Sequence, residues 1–175
     1  LAARQFGHVL WTQLLMAQQA DTSLGGLRLA LAPAIARAAV FDGWSDAALA
    51  SAAEAQGVDP ALARLAYPGG AMDMIAGFVE SIDAAMADHF ADGSLGSRKI
   101  RERIRALVWF RLERLKGLEE AISRALAIQA MPQNVLQATR LGWSSADAMW
   151  RLAGDVATDY NHYTKRATLG GIYAA

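Results

Sequence analysis

Residues 45–70 read SDAALASAAEAQGVDPALARLAYPGG. Ser45 is placed to cap a helix whose alanine-rich body holds no β-branched residue, and Gly57 suits the left-handed position just past its end. Asp59 offers a second cap, with Pro60 at the first helical position, where a missing N–H does no harm. The second helix stops before Pro68. Two starts and two stops in so short a stretch, with no strand signal between them, predict helix, tight turn, short helix.

The flanks extend this pattern. LRLALAPAIARAAVFDGW (27–44) predicts a helix through about Val40 closed by Asp42-Gly43, with Pro33 in its first turns or kinking it. AMDMIAGFVESIDAAMADHFADG (71–93) predicts a long helix, with Met74, Ile75, Phe78, Val79, Ile82 and Met86 on one stripe. This layout resembles the N-terminal helix-turn-helix module of tetracycline-repressor-type regulators. The chemistry does not match DNA. Residues 41–90 hold eight acids against Arg64 alone, net −7, and phosphate recognition needs the opposite sign. The prediction is a module that binds no nucleic acid.

The whole 175-residue chain is 54% hydrophobic with only four prolines, and alanine and leucine dominate, so an all-α fold is expected. Formal net charge is zero, but residues 97–125 carry nine bases and four acids, net +5. The opposed segments are two solvated helix faces or a functional polarity. Cysteine is absent, which excludes disulfides and thiolate chemistry. No apolar run approaches the ~20 residues of a membrane span. Residues 1–17 set Arg4 before VLWTQLLMA, but Thr12 and Gln13 break that core. They read as an amphipathic helix that begins partway into a longer chain, and ADTSLGG (20–26) reads as a linker.

DGSLGSR (92–98) is the expected boundary, giving an N-terminal segment 1–27, a helix-turn-helix-like module 28–91 and a second helical domain 97–175. In KIRERIRALVWFRLERLKG (99–117), Ile100, Ile104, Leu107, Val108 and Leu115 share a face, and LVWF (107–110) is apolar all round. Such a helix is buried on several sides, either in a core or beside an apolar cavity. Candidate lipid-facing residues are Ile104, Leu107, Val108, Leu112, Leu126, Met131 and Trp150. A helix through EEAISRALAIQAMP ends before Pro132. QNVLQATRLGW and SSADAMWRLAGD predict two more, the latter capped by Ser144 or Ser145, and the last helix runs from about Val156 to the end.

Asp155, Asp159, His162 and Arg166 lie at steps of four, three and four, so one helix face carries all of them. Asp159-x-x-His162 is half of a di-iron signature, but His8 and His89 follow Gln5 and Met86 at that spacing and cannot complete the set. One histidine with two aspartates is a poor zinc site. No serine lies in a Gly-x-Ser-x-Gly turn. Catalysis by paired carboxylates stays open, and an ion network between helices is the commonest fate of such a stripe.

FDGWS (41–45), RALAIQAMPQN (124–134) and MWRLAGDVATDYNHYTKRATLGGIY (149–173) resemble one family, the ninth protein of coenzyme Q (ubiquinone) biosynthesis. The likeness covers about residues 28–175. It implies a tetracycline-repressor-like all-α homodimer that is no repressor and no enzyme. The implied protein binds isoprenoid or phospholipid and presents precursor to demethoxyubiquinone hydroxylase, a di-iron enzyme at the membrane. The family's proposed docking residues fall on Asp147, Met149, Asp159, Tyr163 and Arg166; His162, also assigned to that surface, stands where eukaryotic members carry Trp. The family further implies an amphipathic membrane-binding helix beyond this segment. It also implies a place in the mitochondrial matrix, or at the cytoplasmic side of a bacterial inner membrane. Gly154, Ala167, Gly170 and Gly171 are small enough to let the last two helices pack closely in a dimer. The expected bound group is a lipid, with no metal. A ligand-sensing transcription regulator is the alternative.

Overall fold

A computed structural model describes residues 24–155 and 160–174, with side chains in the last segment described for 163–171. The expected N-terminal amphipathic helix, most of the linker and Asp159 lie outside the described residues, as does the side chain of His162. The described residues form eight helices and no strand. These are α1 (Leu24–Asp42), α2 (Asp46–Ala55), α3 (Pro60–Ala66), α4 (Gly70–His89), α5 (Ile100–Leu115), α6 (Glu119–Gln129), α7 (Val135–Leu152) and α8 (Tyr160–Ala174).

Local chemistry sets the first turns as expected. Ala48 N donates to Ser45 Oγ at 3.4 Å, and Ala61 N to Asp59 Oδ1 at 2.7 Å. Gly57 takes φ +65°, a conformation open to glycine at no steric cost, and the chain turns there from α2 toward α3. Helix α1 starts earlier than its sequence suggests, so Leu24 to Gly26 are helical and not linker, and Pro33 lies well inside the helix. Proline there forfeits a backbone hydrogen bond, about 3 kcal/mol in an exposed helix. Burial offsets this: Leu31, Ala32, Ile35, Ala36 and Ala39 are wholly buried. By length and composition alone α1 is also apolar enough to cross a membrane, contrary to the sequence expectation, with a mean hydropathy of 1.4. A third of that apolar stretch is buried, and Leu31, Ala32, Ile35, Ala36 and Ala39 pack it into the first core.

Two cores share the long helix α4. The first joins α1, α2, α3 and the front of α4 through Leu31, Ile35, Trp44, Leu49, Tyr67, Ile75 and Phe78. Leu118, Ala121 and Ala125 of α6 complete it. Trp44 Nε1 also donates to the α6 carbonyl of Ala121 at 2.8 Å. Thus the turn-rich segment between α4 and α5 marks the expected boundary, yet apolar packing crosses it. The second core gathers Met86, Leu95, Leu107, Ala146, Met149, Ala153 and Leu169.

Gly77 shows how closely the first core packs. A Cβ there would stand 2.8 Å from the Tyr67 ring, whose hydroxyl donates to Arg28 O at 2.5 Å. Burial raises the Tyr67 pKa, so the hydroxyl keeps the proton it donates. Arg28 in turn reaches Asp73 at 2.6 Å and Glu80 at 2.9 Å, tying α1 to α4.

Two sequence expectations need correction, on α7 and α5, and α3 shows a face that the sequence reading left open. Helix α7 is continuous from Val135 to Leu152, so neither Ser144 nor Ser145 caps a new helix. Its residues keep helical spacing throughout, and packing on α4 and α8 carries it past Gly142. Helix α5 is not buried on all sides: Leu107 is fully buried, but Trp109 is 62% exposed. Finally, α3 presents Leu62, Arg64 and Leu65 outward, a mainly apolar face.

Candidate functional site

Between the two cores lies a cavity of about 740 Å³. That size is within the range of small-molecule sites. Five helices and one turn build it. Ile75, Phe78, Val79 and Ile82 of α4 form one wall, and Leu112 and Leu115 of α5 and Ile122, Ala125 and Leu126 of α6 form another. On α7, Ala138, Leu141, Gly142, Ser145, Ala146 and Met149 follow the i, i+3, i+4 rule and turn one continuous face inward. Ala167, Gly170 and Gly171 of α8 and Trp44 close the remainder. The small residues on α7 and α8 leave the volume that larger side chains would fill.

The lining is apolar apart from a few placed groups. Arg111 is buried on the wall and pairs with Asp83 of α4. The Ser145 hydroxyl donates to the other Asp83 oxygen at 2.7 Å, and Arg111 Nη2 lies 3.4 Å from Ser145 Oγ. Burial pushes the Asp83 carboxyl above its ordinary pKa, while the Arg111 charge and the Ser145 hydroxyl pull it back. Gln129 and Thr139 add uncharged polar atoms to the lining.

Of the seven residues proposed from sequence to face lipid, Leu112 and Leu126 line the cavity. Ile104, Leu107, Val108 and Trp150 instead pack in the second core against Met86 and Met149. The reason is position along the helix: Arg111, Leu112 and Leu115 share the face of Ile104, Leu107 and Val108 but lie one to two turns further on, where that face meets the cavity and not the adjoining core. Met131 lies at the α6–α7 turn, exposed and away from the lining. The α4 wall was visible in sequence as an apolar stripe. Trp44 and the α7 face were missed.

Asp155 and Arg166 of the polar stripe take part in a brace. Arg166 is 2% exposed; its Nε lies 2.5 Å from Asp147 Oδ1 and its Nη1 3.2 Å from Asp155 Oδ2. Lys165 Nζ meets Asp155 at 2.8 Å and stands over the Trp150 ring at 5.4 Å. Arg151 reaches Asp147 at 2.7 Å from the solvent side. This network locks α8 to α7. Of the docking residues expected from sequence, Arg166 and Met149 are buried, Asp147 is engaged in the brace, and Tyr163 is 61% exposed. The Tyr163 ring lies 6.1 Å from that of Trp143, which also lines the cavity. Among the described residues no group of three His, Asp or Glu is placed to hold a metal.

A second, wider groove of about 790 Å³ crosses the outer face of α5. Arg98, Glu102, Arg105, Glu113 and Arg114 line it beside Trp109 and Phe110, so half of its lining residues are charged although most of its surface is apolar.

Comparison with known proteins places this architecture. The sequence profile of the COQ9 family matches residues 135–175, which cover α7 and α8. The ubiquinone biosynthesis protein COQ9, mitochondrial, of Rattus norvegicus is 35% identical over 139 residues, 75% of this chain and 44% of its own length. The Homo sapiens protein of the same name is 33% identical over 138 residues, 75% of this chain and 43% of its own. The Schizosaccharomyces pombe coq9 protein is 26% identical over 138 residues, 76% of this chain and 52% of its own. The chain thus spans less than half the length of the two mammalian relatives. Through the aligned region, which takes in three-quarters of it, the chain belongs to the COQ9 family.

Proposed function

We propose that this chain is a non-catalytic, lipid-binding component of ubiquinone biosynthesis that holds an apolar quinone precursor and presents it to a hydroxylase. The observation that carries this reading is the cavity between the two cores, with its apolar walls and few polar groups. An isoprenoid chain gains by leaving water, roughly 25 cal/mol for each Å² of apolar surface buried. The names of the family relatives supply the pathway. The hydroxylase, a homodimer through α7 and α8, peripheral contact with a membrane, and a matrix or inner-membrane location belong to the same proposal.

Gentle purification followed by native mass spectrometry and lipid extraction tests it. The expected result is a co-purifying lipid without net charge, an isoprenoid or a zwitterionic phospholipid, released by denaturation. If no lipid is bound and no apolar dye enters the protein, the lipid-binding reading is wrong.

A further inference from the structure

We propose that Asp83 is a specificity-determining residue, which makes the cavity admit amphiphiles with an uncharged polar end and reject anionic ones. This rests on reading the cavity as a lipid site. An arginine in an apolar cavity ordinarily invites a carboxylate or phosphate headgroup, because a charge-assisted pair is strong where water is excluded. Here that invitation is cancelled from behind. Among the described lining residues the cations are Arg111 and Arg166. Arg111 is held by Asp83, itself fixed by the Ser145 hydroxyl at 2.7 Å. Arg166 is held by Asp147 and Asp155. An incoming anion would have to shed its water and meet an Arg111 charge that Asp83 already neutralises, or else displace Asp83 and leave that carboxylate without its counter-charge. A hydroxyl or carbonyl needs neither step. The Thr139 hydroxyl donates to Val135 O at 2.8 Å and keeps its lone pairs for an incoming donor. The Gln129 amide on the same lining can donate or accept.

The test uses the full chain with Nile red, a neutral dye, displaced by hexadecanol or by hexadecyl phosphate, which share a tail and differ in head. Wild type is expected to release the dye at an alcohol concentration about tenfold below that of the phosphate, the size of effect one contacting charge exerts on an ionisation. Because the alcohol also partitions better, the decisive reading is how this ratio changes. Asp83→Asn exposes the Arg111 charge and should narrow it about tenfold. Arg111→Gln leaves Asp83 unopposed and should widen it. The two substitutions act in opposite directions, so either folded variant gives an answer. If the wild-type protein takes the phosphate as readily as the alcohol, or the ratio is unmoved in a folded variant, the inference fails and the lipid site stands. If the dye does not bind at all, the lipid site fails with it.

Discussion

Arg166 Nε lies 2.5 Å from Asp147 Oδ1, and through that contact α8 is pinned to α7. The guanidinium is almost wholly buried, and Asp155 shares it at 3.2 Å. Breaking a buried pair by removing one partner leaves an uncompensated charge, typically about 3–5 kcal/mol. Arg166→Ala is therefore expected to lower stability by that amount, read as a fall in the urea midpoint. Arg166→Lys should recover only part of it, since an ammonium cannot span both carboxylates as the planar fork does. Unchanged stability in Arg166→Ala would show that the brace is not the residue's main role.

Gly142 offers the opposite test. It lines the cavity, lies inside α7, and an added Cβ meets nothing within 4 Å. Replacing glycine within a helix gains roughly 0.5–1 kcal/mol from propensity. Gly142→Leu should leave the fold as stable as wild type or more so, while its side chain occupies ligand volume. Lipid or dye binding should fall at least severalfold with no drop in melting temperature. Full binding in the folded variant would move the ligand elsewhere.

The first core gives a third. With a Cβ only 2.8 Å from the Tyr67 ring, Gly77→Ala forces that ring aside and strains its bond to the Arg28 carbonyl. Overpacking of this kind costs about 1–3 kcal/mol. Tyr67→Phe removes only the hydrogen bond, about 1 kcal/mol. Denaturant unfolding of both variants should rank them in that order.

How much of this was legible in the sequence depends on the range of the forces involved. The caps of α2 and α3 come from neighbours in the chain, and Ser45, Gly57 and Asp59 announce them directly. The stripe on α4 was equally plain. Helix α7 was not, because Gly142, Ser144 and Ser145 resemble a break when read locally. Only the partners on α4 and α8 make that segment one helix, and with it one cavity wall. The Asp155–Arg166 spacing predicted one shared helix face, but Asp155 precedes α8 and meets the buried Arg166 from outside it, so two residues of a suspected surface form a brace. In α5 the apolar triplet Ile104, Leu107 and Val108 marked the core. The cavity-facing residue beside them is charged Arg111, whose partner Asp83 lies on another helix and leaves no local signal.

The helix-turn-helix-like segment should not bind DNA. Arg64 is the only Lys or Arg in residues 41–90, which are net −7, and α3 turns Leu62 and Leu65 outward beside it. Non-specific affinity for duplex comes almost entirely from phosphate contacts. A gel-shift titration at about 50 mM salt should therefore show no complex at micromolar protein. A complex whose affinity falls steeply with salt would restore the regulator reading.

Tyr163 is the test of partner docking. Its ring is mostly exposed, is anchored to the α7–α8 unit by contact with Trp143, and so stands beside the cavity wall. A ring in that position is open to contact with a partner. Aromatic residues at the centre of an interface are worth about 2 kcal/mol or more on truncation, whereas an exposed substitution costs the fold within about 0.5 kcal/mol. If the proposed hydroxylase docks here, Tyr163→Ala weakens its binding at least tenfold with the melting curve unchanged. Arg166→Ala should weaken it too, but only together with a loss of stability, because its effect passes through the brace to Asp147 and Asp155. Calorimetric titration beside thermal melting separates the two. Unchanged hydroxylase affinity in a folded Tyr163→Ala variant would place the docking surface elsewhere on the chain.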